Sequence, residues 1–183
     1  MTAFSPERRM HRTSAAAFVG ITALTLSLVG CQDQGPPPYA QYRDAVQPLL
    51  AENTTLVKHF EQLAISLKKR TDAAPDPKAI AAQLDSTMLP AARSLSERAE
   101  AVTLTEASLA PVHQHLVNAW SHRAEAWSNL RDAYGKDDLQ ALDQAIELST
   151  QSHLLEDQWF DEADAALRTQ GLYLVRYPDP AGG

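Results

Sequence analysis

Apolar residues recur at intervals of three and four along most of the chain after Tyr39, which is the spacing that places one face of an α-helix in a core. The predicted helices span about 38–70, 77–102, 103–134 and 136–170. Gly135 and Gly171 follow the last two, at positions where a glycine can end a helix with a positive φ. No alternation typical of a β-strand precedes Gly171. The pattern therefore predicts an all-α domain.

Two prolines and one capping signal refine the predicted helices. Pro48 and Pro90 lie inside the first and second helix, where proline removes a backbone hydrogen bond and clashes with the preceding turn. We expect a kink at each, or a short separate piece before Pro48. The sequence Thr103-Leu104-Thr105-Glu106 matches a capping box and predicts the start of the third helix, with Pro111 delaying its regular part by a turn.

Four amphipathic helices joined by short turns pack most simply as an antiparallel up-down four-helix bundle, which we expect over residues 39–171. The tail, 172–183, begins with an apolar stretch from Leu172 to Tyr177. Such a stretch is unusual at a terminus, and it predicts either docking onto the bundle or contact with a partner.

Polar residues interrupt the predicted inward face of the fourth helix. Its inward positions are Leu139, Leu142, Ile146, Ser149, His153, Glu156, Phe160, Ala163 and Leu167, and those of the third helix include His113, Leu116, Trp120, Arg123 and Trp127. Antiparallel packing brings Asn53, Met88 and Arg123 within about two helical turns of His153 along the bundle axis.

A buried polar layer of this kind, formed by Asn53, Arg123, His153 and Glu156, has two interpretations. It is either a structural layer that sets the helix register, with Arg123 or His153 compensating Glu156, or a pocket for a small ligand. Haem ligation by His153 and Met88 is a further alternative. No metal site is expected, because His122-x-x-Glu125 and His153-x-x-Glu156 reverse the Glu-x-x-His order of di-iron bundles.

The N-terminus carries an export signal. Arg8, Arg9 and Arg12 precede an apolar run, Ala15–Val29, which is shorter than a membrane-spanning helix needs. The run ends in Leu28-Val29-Gly30-Cys31, which contains the only cysteine of the chain. These features resemble those of bacterial lipoprotein precursors. The resemblance implies that Cys31 receives a diacylglyceryl group and becomes the first residue of the mature protein.

This reading divides the chain into a signal peptide (1–30), a lipidated cysteine with a proline-rich spacer (31–38), the bundle and the tail. It implies an exported protein that is lipid-anchored to the outer face of the inner membrane or to the outer membrane. Loss of the leader changes the net charge from −7 to −9, since it removes three arginines and Glu7. That charge argues against nucleic acid and anionic lipid as partners, so the lipid on Cys31 is the expected membrane contact.

No motif of a hydrolase, zinc protease or phosphate-binding loop follows Cys31, and we expect neither an enzyme nor a bound cofactor. The predicted function is a non-enzymatic accessory or protein-interaction module that contacts another envelope protein, with the oligomeric state open. The alternative is a binding protein for a small ligand or haem. Candidate contact surfaces are the tail and the acidic outer face of the fourth helix, formed by Asp143, Glu147, Asp157, Asp161 and Asp164.

Overall fold

The computed structural model describes residues 36–69, 76–136 and 138–176, apart from the side chains of residues 64 and 66–69. The predicted signal peptide, Cys31 and most of the spacer lie outside the described residues, as does the tail from 177 onward. The helices are α1 (Pro38–Lys69), α2 (Pro77–Gln83), α3 (Leu89–Glu100), α4 (Ala110–Lys136) and α5 (Leu139–Arg168). No strand occurs in these described ranges, and the predicted all-α class is confirmed.

α1 runs without interruption through Pro48, so the predicted alternative of a separate first piece is wrong. Proline offers no N–H to the carbonyl of Asp44, one turn earlier. Asp44 and Pro48 are both exposed, and water can satisfy that carbonyl. The inward side of the same helix buries Val46 and Leu49 as predicted.

The second predicted helix is divided by a π-helical turn, Leu84–Met88, which joins α2 to α3. In this turn the N–H of Leu89 donates to the carbonyl of Leu84, five residues back, immediately before Pro90. The wide turn holds one residue more than an α-helical turn and shifts the helical phase by about 100°. The buried positions of α3 are consequently Leu89, Ala92, Leu95 and Ala99. Ala91, which lies three residues after buried Met88, is only partly buried.

α4 begins later than the capping box predicts. A 3-10 turn, Ala107–Leu109, precedes it, and the carboxylate of Glu106 accepts the N–H of Ser108 over 3.1 Å. Thr103 is therefore not the helix cap, whereas the delay by Pro111 is confirmed. α4 also continues through Gly135 to Lys136, so the predicted termination at Gly135 is wrong.

α4 is the central helix. It packs against α2, α3 and α5, and its side chains reach α1. The predicted inward positions of this helix are confirmed, because His113, Leu116, Trp120, Arg123 and Trp127 are all buried.

Over the first half of α5, the side that faces the core differs from the predicted side. Its buried residues are Ala145, Ser152, Trp159, Ala163 and Leu167. The predicted inward positions Leu139, Ile146 and His153 are wrong, because all three side chains are exposed. The small side chains of Ala145 and Ser152 let α5 approach α4 closely, which a row of leucines at those positions would prevent.

The tail docks onto the helices. Gly171, with a φ of 70°, ends α5 in a Schellman motif in which the N–H of Leu172 donates to the carbonyl of Leu167 over 3.1 Å. Gly171 is thus confirmed as a helix terminator. The chain then returns along α5, and Leu174 is buried while its N–H donates to Oδ1 of Asp164 over 2.9 Å.

The docked segment also reaches α1. The N–H of Val175 donates to Oε1 of Gln47, and Nε2 of Gln47 donates to the carbonyl oxygen of Val175, each over 2.9 Å. Arg176 pairs with Asp157 and lies over the ring of Phe160, 4.6 Å from its centroid. Residues 172–176 therefore connect α1 to α5.

Candidate functional site

Three of the four predicted polar residues form one hydrogen-bonded cluster. Arg123 of α4 donates from one Nη atom to Oδ1 of Asn53 on α1, and from the other to Oε2 of Glu156 on α5. Nδ2 of Asn53 donates to the second carboxylate oxygen of Glu156, over 2.8 Å. The three side chains close a ring that links α1, α4 and α5.

The burial of this cluster explains why it is paired. The side chain of Arg123 is 5% exposed and that of Glu156 is 16% exposed. A buried guanidinium is costly unless a counter-charge and hydrogen bonds replace its lost water. Glu156 supplies the charge, and Asn53 supplies both an acceptor and a donor. This arrangement favours the structural interpretation of the layer.

His153 is not part of the cluster. Its side chain is exposed, and it makes no hydrogen bond to Asn53, Arg123 or Glu156. It lies at the edge of a cavity of about 280 Å³ between α1 and α5, with the cluster on one wall. The lining cations Lys58, Arg123 and Arg176 match in number the anions Glu61, Glu156 and Asp157. The cavity therefore has no charge excess to attract an ion.

The residues considered for haem ligation lie apart. Met88 is buried and borders a cavity beside His59 and Gln83, whereas His153 borders the cavity next to Arg123. Within residues 36–69, 76–136 and 138–176, no three His, Cys, Asp or Glu side chains converge in a way that could hold a metal ion.

A second buried polar chain runs through the core nearer the N-terminal ends of α1 and α4. Nε1 of Trp159 donates to the hydroxyl of Tyr42, and this hydroxyl lies 3.2 Å from Nδ1 of His113. Nε2 of His113 lies 2.9 Å from the carbonyl oxygen of Ala99. A carbonyl only accepts, so Nε2 carries the proton and Nδ1 accepts from Tyr42. The chain has one direction and joins α5, α1, α4 and α3.

Burial shifts the protonation of both titratable members. It lowers the pKa of His113, against the opposing effect of the hydrogen bond to Ala99. Burial also raises the pKa of Tyr42 to about 12, although the hydrogen bond from Trp159 acts in the opposite direction. Both side chains are thus neutral near neutral pH. The sequence placed His113 inward but missed Trp159, whose signal was its position four residues before Ala163 and eight before Leu167, both predicted inward.

These observations define an all-α domain with two buried polar groups of residues, each joining at least three helices. No protein-family model matches the sequence, and no significant similarity to a curated protein or a solved structure is found. None of the helices in the described ranges has an apolar stretch long enough to cross a lipid bilayer.

Proposed function

We propose that this protein is exported, carries a lipid on Cys31 and acts in the cell envelope as a non-enzymatic interaction module. The anchor is supported by the order of its signals, since an arginine-rich start and an apolar run lead to Leu28-Val29-Gly30-Cys31. The lipid would hold the domain at the outer face of the inner membrane or at the outer membrane, where another envelope protein is its partner.

We further propose that the helices form an antiparallel up-down bundle. Contacts between α1 and α4 advance together along both helices, from Tyr42 with His113 to Phe60 with Trp127. Contacts between α4 and α5 run in opposite order, because His115 meets Gln158 and Arg123 meets Glu156. The segment before α4 also runs opposite to it, because Ala99 meets His113 and Asp85 meets Arg131. This order supports α1 parallel to α4, with α2, α3 and α5 antiparallel to both, as in an up-down bundle.

One observation carries the interaction function: an exposed face of α5 on which apolar and acidic residues alternate. Leu139, Ile146 and Leu154 are 73%, 58% and 66% exposed. They recur with four exposed acidic residues at helical spacing on the same side of α5. We define the α5 face by these residues, namely Leu139, Asp143, Ile146, Glu147, Leu154, Asp157 and Asp161.

The chemistry of the α5 face indicates its partner. A row of large apolar side chains in contact with water is unfavourable unless a partner covers it. Of the six exposed large apolar residues in the described ranges, five lie on α5 or the tail. Asp157 is already paired with Arg176, and the carboxylates of Asp143, Glu147 and Asp161, which pair with no described cation, select for cations of the partner. The matching surface is a basic amphipathic helix, which places apolar residues against Leu139, Ile146 and Leu154, and Lys or Arg against the acids.

The anchor is tested by fatty-acid labelling in the native host. The parent chain should incorporate labelled palmitate and lose its leader, whereas Cys31→Ala should remain an unlabelled precursor. Label retained by Cys31→Ala would refute the lipid anchor.

The partner contact is tested by photo-crosslinking in living cells. A photoreactive amino acid at Leu154 should yield a crosslinked species, and the same amino acid at Glu125, on the exposed side of α4, should not. The double change Asp143→Lys and Glu147→Lys should reduce the crosslink at Leu154 at least five-fold while leaving the helical content unchanged. Equal crosslinking from both positions, or no effect of charge reversal, would exclude the α5 face as the contact.

A further inference from the structure

The C-terminal half of α1 and the N-terminal half of α5 border an apolar cleft, which is distinct from the polar cavity beside Arg123. Its volume is about 320 Å³, which lies within the range of small-molecule sites. α4 forms its floor, and α1, α2 and α5 form its walls. We define the apolar cleft by its lining residues, which include Phe60, Ile80, Leu84, Trp127, Leu130, Tyr134, Ile146 and Ser149.

The walls of the apolar cleft are aromatic on one side. The rings of Phe60 and Trp127 are stacked, with centroids 4.8 Å apart and planes at 16°, and Tyr134 adds a third ring. Aromatic surfaces of this kind stack on or meet the edge of another aromatic ring at a gain of about 1 kcal/mol beyond area burial. A planar aromatic ligand fits this wall better than a flexible chain does.

The polarity of the apolar cleft restricts the ligand further. No Asp, Glu, Lys, Arg, His, Cys or Met is among the described residues that line it, so neither an ion nor a haem iron would find a partner there. Thr150 uses its hydroxyl on the carbonyl of Ile146, over 3.0 Å. The hydroxyls of Ser149 and Tyr134 and Nε1 of Trp127 make no hydrogen bond to another described residue, which leaves three polar groups among the lining residues for a ligand.

We propose that the apolar cleft binds an uncharged, planar aromatic molecule, with Ser149, Tyr134 and Trp127 as its available hydrogen-bonding partners. This site is independent of the lipid anchor and of the partner contact. Ile146 belongs to both the apolar cleft and the α5 face, whereas Leu154 belongs to the α5 face alone. Paired variants at these two residues therefore separate the two proposals.

The test uses the full-length protein in lipid nanodiscs and 1-azidonaphthalene as a photoreactive probe. Labelled peptides should contain residues 60–63, 126–134 or 145–150, and N-phenyl-1-naphthylamine should compete for them. Its sulfonated counterpart, 8-anilino-1-naphthalenesulfonate, should compete at least ten-fold more weakly, because the cleft lining offers no cation.

Matched variants decide between the cleft and general adhesion to apolar surface. Ile146→Asp should lower labelling at least ten-fold, and Leu154→Asp, an equally exposed position on the same helix, should leave it unchanged. Ser149→Leu, which fills the cleft without adding charge, should also abolish labelling. Labelling that spreads over the chain, resists competition, or falls equally in Ile146→Asp and Leu154→Asp would overturn the proposal.

Discussion

The indole N–H of Trp159 lies 2.8 Å from the hydroxyl of Tyr42, and this bond connects the last helix of the chain to the first. It also helps to explain why the first half of α5 turns Ala145 and Ser152, and not Leu139 and Ile146, toward the core. The indole of Trp159 is fully buried and finds its acceptor in Tyr42, which lies on the side of α5 that carries Ala145 and Ser152. Any rotation that buried Leu139 and Ile146 instead would leave the donor unpaired.

Tyr42→Phe should therefore destabilise the domain by about 2 to 4 kcal/mol, because it leaves both the Trp159 indole and Nδ1 of His113 without a partner in the core. The free energy of unfolding, from chemical denaturation followed by circular dichroism, is the measurement. Tyr39→Phe is the control, because its hydroxyl meets Ser108 at an exposed position, and a change within about 0.5 kcal/mol is expected. Equal losses in both variants would contradict the role of the buried chain.

The stability should fall with acid through His113. Burial lowers its pKa in the folded state, so the unfolded chain binds the proton first as the pH drops below about 6.5. The contribution of neutral His113 is thus present above that pH and is lost as the pH falls toward the lowered folded-state value. Unfolding free energies from about pH 8 to pH 5 should decline less in His113→Gln than in the parent. Ser121→Ala, an exposed position of the same helix without a titratable group, should keep the parent's slope.

Removal of Glu156 should expose the cost of the buried guanidinium. Glu156→Ala leaves Arg123 without its counter-charge and should cost about 3 kcal/mol. Replacing all three members by apolar residues, as Asn53→Leu, Arg123→Met and Glu156→Leu, should recover most of that loss, because no charge then remains buried. Glu147→Ala, exposed on the same helix, should melt like the parent. A triple variant less stable than Glu156→Ala would show that the cluster stabilises the fold by more than the neutralisation of its own buried charges.

The docked tail should contribute to stability through Leu174. Leu174→Ala removes a buried side chain and should cost about 2 kcal/mol or more. Tyr173→Ala, one residue earlier and 60% exposed, should change the unfolding free energy by less than about 0.5 kcal/mol. If both variants unfold like the parent, residues 172–176 serve a partner rather than the fold.

The first three of the four predicted helices could be recognised from the sequence because large apolar residues mark their inward faces. The first half of α5 could not, since Ala145 and Ser152 carry no hydrophobic signal while exposed Leu139 and Ile146 carry a strong one. The deciding factor is the close approach of α5 to α4, which no local pattern encodes. The phase shift at Leu84–Met88 is equally hidden, although Pro90 marks its place.

The polar site was predictable to the extent that polar residues on apolar stripes stand out. Asn53 and Arg123 lie on well-marked stripes, and Glu156 reaches them at the predicted depth. His153 was placed inward through the mistaken stripe of α5 and is exposed. The apolar cleft left no sequence signal, because it results from the separation of α1 and α5 above α4 and not from any run of residues.

The π-helical turn at Leu84–Met88 makes this part of the chain tolerant of a change in length. A π-turn is equivalent to one residue inserted into an α-helix, so a gene that lost one codon here could restore an unbroken helix. Such a shorter chain would no longer accommodate a proline at the position of Pro90. Its apolar residues from Leu89 onward would be displaced by one position along the sequence. Deletion of one residue between Leu84 and Met88, together with replacement of Pro90, should therefore leave one unbroken helix in place of α2, the π-helical turn and α3.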